Sequence, residues 1–91
     1  MARRILVLNP NVTEAITSTM VEEARRVAAA DTEIVPATAR FGTLYIENRV
    51  EAAIAGHAVL DALAEQAPGC DAAIVAAFGD PGVFAAKEML D

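Results

Sequence analysis

Few side chains in this 91-residue sequence are equipped for chemistry, and several of those that are stand in the wrong places. Cys70, the only cysteine, is the natural nucleophile by type, yet it precedes an apolar run rather than following it. His57, the only histidine, has no cysteine or histidine at ligand spacing, so an ordinary zinc site has no support. Ser18 falls inside a helical pattern and the elbow motif G-x-S-x-G is missing, as are G-x-G-x-x-G and the P-loop. Two clusters remain, Asn9-Pro10-Asn11 with Thr13, and Ala77-Phe78-Gly79-Asp80-Pro81-Gly82. Each joins an apolar run to a helical pattern, so each presents free backbone N–H groups and the positive end of a helix dipole. That arrangement suits an anion or a developing oxyanion. Gly79 and Gly82 allow close backbone approach, and Asn11 and Thr13 add neutral donors. The same residue types cap helices and turn the chain in many folds, and spacing alone leaves that alternative open.

The elements that must position these clusters can be read from hydropathy. Residues 3–8 form a short continuous apolar strand stopped by Asn9-Pro10-Asn11. Ile16, Met20, Ala24, Val27 and Ala28 then recur at helical spacing over residues 12–30, with Asn11 and Glu14 making a capping-box-like start. A second strand spans 32–35 and is closed by Pro36; residues 37–44 form a loop containing Gly42-Thr43. The next helix covers about 46–65, with a stripe of Ile46, Val50, Ala53, His57, Leu60 and Ala64, slightly weakened by Gly56. Glu47 opens it, placed to complement the dipole or to reach a ligand. A third strand runs over 71–77, and a last helix over 81–90, with Asp80 as N-cap and Pro81 at its first position.

The order β-α-β-α-β-α predicts an α/β fold, a three-layer sandwich with an open parallel sheet of flavodoxin-like or Rossmann-like type. Right-handed crossovers give strand order 2-1-3, and ligands bind such sheets beyond the carboxyl ends of the strands at the switch between 1 and 3. Both chemical clusters fall there. Cys70 lies at the other end of its strand, roughly 20 Å away at ~3.3 Å per residue.

Composition narrows the partners. With 55% hydrophobic and 22% charged residues the chain, 1–91, is one folded domain rather than a disordered segment. Seven basic against thirteen acidic residues, a net charge of −6, speak against nucleic acid. A single cysteine excludes an internal disulfide framework, and no signal peptide or membrane span is visible, so the expected setting is the cytoplasm.

Three segments taken in order, Ile5-Leu6-Val7-Leu8-Asn9-Pro10-Asn11-Val12-Thr13, Gly42-Thr43-Leu44-Tyr45-Ile46-Glu47 and Phe78-Gly79-Asp80-Pro81-Gly82, resemble the aspartate/glutamate/hydantoin racemase superfamily, in its hydantoin and allantoin racemase branch. The resemblance implies a fold of two similar α/β lobes with the active site between them, of which residues 1–91 are the first part of the N-terminal lobe. It implies a cofactor-independent racemase, without metal, that removes and returns a proton next to a carbonyl through two cysteines, one per lobe. Inversion needs an acid and a base on opposite faces of the carbon, with pKa values close enough to working pH to exchange roles. The first-lobe cysteine immediately precedes Phe78, where this sequence has Ala77. Pro10, Asn11, Ile46, Phe78, Gly79 and Asp80 are the implied substrate-binding residues. The implied partners are a hydantoin or amino-acid derivative and further copies of the chain in a homo-oligomer. Two alternatives accommodate Ala77: a single-cysteine decarboxylase of the arylmalonate type, and a non-catalytic α/β ligand-binding or assembly module.

Overall fold

The computed structural model describes residues 2–90. It contains β1 (Arg3–Asn9), α1 (Glu14–Val27), β2 (Thr32–Thr38), α2 (Arg49–Gln66), β3 (Ala72–Val75) and α3 (Val83–Leu90). The sheet is parallel throughout and ordered β2-β1-β3, the order expected from right-handed crossovers. Central β1 is paired on both sides, Leu6 with Val35 and Ala73, Leu8 with Ala37 and Val75.

Side-chain alternation along β1 divides the core into two layers. Leu6 and Leu8, fully buried, pack with Ala37, Val59, Ala62, Leu63 and Ala86 under α2 and α3. Val7 turns the other way and packs with Val21 and Ile34, flanked by Met20 and Ala24 of α1 and by its C-cap residue Ala28. Helices thus cover both faces, giving the three-layer sandwich. Full burial of each leucine of β1 contributes about 1.5–3 kcal/mol, and one strand anchors both layers.

Several boundaries differ from expectation for identifiable reasons. Pro36 does not close β2; the strand continues to Thr38, with Pro36 in register with Val7. Because β2 is an edge strand, the missing N–H of Pro36 leaves the ladder intact. α1 starts at Glu14, and its N-cap is Thr13 rather than Asn11, whose side-chain oxygen instead accepts from the backbone N–H of Thr13. α2 starts at Arg49, not near Ile46: Asn48 caps it by accepting from Glu51 N–H, and the Glu51 carboxylate accepts from Glu47 N–H. Glu47 therefore precedes the helix. Strand β3 ends at Val75, so Ala77 sits in the loop beyond it. Helix α3 starts at Val83, and Asp80 is not its N-cap but has a left-handed backbone with φ 48°.

The expected stripe on α2 is also corrected. Its buried residues are Ala55, Ala58, Val59, Ala62 and Leu63, whereas Val50, Ala53, His57 and Ala64 are exposed. Apolar residues occur all round this helix, so spacing cannot choose a face. The structure selects the face rich in alanine, where small side chains bring the helix close to the sheet. Gly56, read as a weak point, receives the backbone of Gly82 at the start of α3.

Candidate functional site

At the carboxyl end of the sheet three loops converge. The first, 10–13, leaves β1 and is packed into the fold: Pro10 is fully buried, and Asn11 is 8% exposed. The second, 39–48, is laid over it by backbone bonds from Ala39 N–H to Asn9 O (3.0 Å) and from Val12 N–H to Thr43 O (2.9 Å). The Thr13 hydroxyl adds a bond to the Leu44 carbonyl at 2.6 Å, so this hydroxyl is a strut between loops and not the free donor expected. The third, 76–82, is anchored by Ala76 N–H on Leu8 O at 2.9 Å and then turns through Gly79, Asp80 and Gly82, all at positive φ.

Between them lies a groove of about 500 Å³ lined by Asn9, Asn11, Met20, Ile46, Ala76, Ala77 and Phe78. Four expected site residues, Asn11, Ile46, Ala77 and Phe78, come together here. The other three do not line it: Pro10 is buried beneath the loop, Gly79 stands open, and Asp80 lines a separate groove along β3 and α3. That second groove is larger, about 950 Å³, but follows the open edge of the sheet and lacks the convergent loops. Phe78 is fully exposed at the mouth of the site, its aromatic face left uncovered by the described residues.

Met20 and Ala76 were not legible as site residues, and Asn9, placed at the crevice with its neighbours, carried no assigned role of its own. Asn9 reads as a turn residue in sequence, yet it is the last residue of β1 and fully buried. Its Nδ2 donates toward Asn11 Oδ1 (2.8 Å), Thr17 Oγ1 (3.0 Å) and Thr13 O (3.1 Å), and its Oδ1 accepts from Asn11 N–H (3.1 Å). Thr17 in turn shares a 2.7 Å hydrogen bond with Thr38, whose residue is the register partner of Asn9. The available signal was the alternation of β1, which places Asn9 on the same face as Val7, under α1.

No groove-lining side chain is ionisable. The carboxyl whose affinity for protons is altered most plainly by a partner across the fold, Asp61, lies elsewhere; the hydrogen bond from Arg40 holds it below the usual carboxylate range. Cys70 precedes β3, packed against the α2 side of the core with its thiol directed at the Gln66 carbonyl, 3.8 Å away. It is at the opposite end of the sheet from the groove. His57 is exposed and meets Phe41 edge to face at 5.0 Å. Among the described residues no cluster of three His, Cys, Asp or Glu is arranged to hold a metal, and no helix is long and apolar enough to cross a membrane.

The architecture and sequence have close counterparts. The chain is 34% identical over 89 residues to a hydantoin racemase from Pseudomonas sp. (strain NS671) and 37% identical over 90 residues to one from Paenarthrobacter aurescens. Each match takes in 97% of this chain but only 36% and 38% of the relative, so the chain spans little more than a third of their length. Its structure superposes on allantoin racemase from Klebsiella pneumoniae with a TM-score of 0.90 and 43% identity, over 96% of this chain and 36% of that one. Allantoin racemase from Pseudomonas fluorescens gives a TM-score of 0.80 at 43% identity, over 84% and 32%. The family described as Asp/Glu/Hydantoin racemase matches residues 5–91, and the chain belongs to that family.

Proposed function

We propose that the protein carrying this chain is a cofactor-independent racemase of the hydantoin or allantoin type, with these residues forming one wall of its active site. The observation that carries this reading is the groove itself: a neutral amide, Asn11, and the loop residues Ala77 and Phe78 meet beyond the carboxyl ends of β1 and β3. A hydantoin-like ring is neutral and rich in carbonyl oxygens. The groove offers it an amide and apolar surface from Met20, Ile46 and Phe78, whereas the second carboxylate of aspartate or glutamate would meet no cation from this wall. Similarity to hydantoin and allantoin racemases supports the same choice.

In this reading Asn11 holds a carbonyl oxygen next to the reacting carbon, and its hydrogen bond strengthens as that oxygen gains enolate charge. Ala77 occupies the position of the first-lobe acid/base. A methyl group neither accepts nor donates a proton, so a group facing the opposite side of the carbon, outside these residues, exchanges the proton on its own face, and the transfer that inversion needs on the Ala77 face is left to solvent. Loss of one general acid/base costs about 10²–10⁴-fold. The test is Ala77→Cys in the full-length protein, followed by α-proton exchange in deuterated water and by optical rotation. A thiol at position 77 is expected to raise racemisation of hydantoins or allantoin by about 10²-fold or more. No gain with hydantoins, allantoin or aspartate would remove the main support for the racemase reading.

A further inference from the structure

Asn11 is buried in all but 8% of its surface and lines the groove, so the end of its amide that faces the groove decides what the site can bind. Two backbone donors fix that orientation. Thr13 N–H, 2.9 Å from Asn11 Oδ1, requires an oxygen there; Asn11 N–H, 3.1 Å from Asn9 Oδ1, requires an oxygen on Asn9. The Asn9 amide nitrogen is therefore the group directed at Asn11 Oδ1, at 2.8 Å. With two donors on its oxygen, Asn11 has one polar atom left, Nδ2, which makes no hydrogen bond to the described residues.

We propose that Asn9 is the positioning residue of this groove: its buried amide locks Asn11 with Oδ1 inward, so that Asn11 offers Nδ2, a donor and never an acceptor, to a substrate carbonyl. The proposal rests on the racemase reading for the identity of that carbonyl, but not for the geometry of the lock. Asn9 is itself held by Thr17 Oγ1 at 3.0 Å, and Thr17 and Thr38 bond each other at 2.7 Å, which ties the lock to α1 and to the end of β2. Three elements thus fix one amide. An asparagine free to rotate would present its oxygen half the time and repel the enolate that forms in the reaction; a locked one needs no reorganisation as charge develops.

The decisive variant is Asn9→Asp, which keeps shape and the acceptor for Asn11 N–H but sets a carboxylate oxygen where the amide nitrogen donates. Oxygen would then face Asn11 Oδ1, and Asn11 is expected to turn its Nδ2 inward, because a charge-assisted bond to the new carboxylate outweighs the one given up from Thr13 N–H. In the full-length protein labelled with ¹⁵N-asparagine, the side-chain protons of Asn9 should exchange slowly with solvent and those of Asn11 rapidly; Asn9→Asp should make those of Asn11 slow. The same substitution should weaken binding of hydantoin, used as probe, by about tenfold or more, as expected when a buried hydrogen bond is lost and an oxygen is set against an oxygen. A purely structural role would lower the melting temperature without protecting the Asn11 amide. Rapid Asn11 exchange in the variant, or a hydantoin dissociation constant within twofold of the parent, overturns the proposal. Should the variant not fold, exchange in the unmodified protein decides: slow Asn11 protons with fast Asn9 protons would show the lock to be absent. Failure of the unmodified protein to bind hydantoin counts against the racemase reading, while the amide exchange still judges the lock.

Discussion

Gly79 and Gly82 share a left-handed backbone, φ 85° and 76°, yet their surroundings differ. A Cβ at Gly79 would meet nothing within 4 Å, whereas at Gly82 it would stand 2.9 Å from the Gly56 carbonyl oxygen and 3.3 Å from Gly56 Cα. Neither atom belongs to a flexible side chain, so α2 and α3 would have to separate. Gly79→Ala should therefore cost about 1–2 kcal/mol, the strain of the left-handed backbone alone. Gly82→Ala should cost clearly more, seen as a lower urea midpoint; equal midpoints would show that the helices give way without penalty. In sequence both glycines read alike, as freedom for close approach to a ligand. Only the packing distinguishes a glycine left open beside the groove from one that lets two helices meet. The same limit hid Asn9: its type suggests a turn, while its function follows from burial and from partners 4, 8 and 2 residues away that a strand and a helix bring together. Asn11, Ala77 and Phe78 were legible because hydropathy locates the strand ends they follow, whereas Ile46 was reached only through the family resemblance.

At the scale of elements, strand order was readable because three apolar runs and two crossovers leave few right-handed solutions. The face of α2 was not, since its apolar residues surround the helix and the choice belongs to the sheet. The loop that follows β2 illustrates how such a helix is then tied in place. Arg40 forms a two-bond pair with Asp61 of α2, Nε to Oδ2 at 2.9 Å and Nη2 to Oδ1 at 2.7 Å. The hydrogen bond from Arg40 depresses the Asp61 pKa, the larger effect, and its charge adds to this. A carboxyl depressed on folding contributes stability that is present above its unfolded pKa and lost as pH falls through the lower, folded value. Parent and Asp61→Asn proteins should thus differ slightly in melting temperature at neutral pH, as suits an exposed pair, and converge in acid. A difference that stays constant from neutral pH into acid would assign the effect of the substitution to something other than the ion pair.

At the scale of the whole molecule, the two edges of the sheet are unequal. β2 is seven residues long, carries Pro36, and has the Arg4–Glu33 pair beside it. β3 has four residues, and its outer side is unpaired among the described residues. Ile74 is 51% exposed there, and the groove of about 950 Å³ running along this edge is lined by apolar residues of β3, α2 and α3 together with Asp80, Lys87 and Glu88. The strand itself, Ala72–Val75, carries no charge, and such a strand edge is a template for pairing with another strand that proteins ordinarily blunt with charge on the strand, especially lysine. Residues 1–91 produced by themselves should therefore associate through β3, seen as a sedimentation coefficient that rises with concentration. The net charge of −6 opposes association, so added salt should strengthen it by screening. Ile74→Lys should reverse the effect: it places a cation on the open edge without entering either core cluster, since Ile74 belongs to neither. A 91-residue chain that stays monomeric at high micromolar concentration, or an Ile74→Lys variant that associates as strongly as the parent, would show that the exposed edge is not what drives contact between copies.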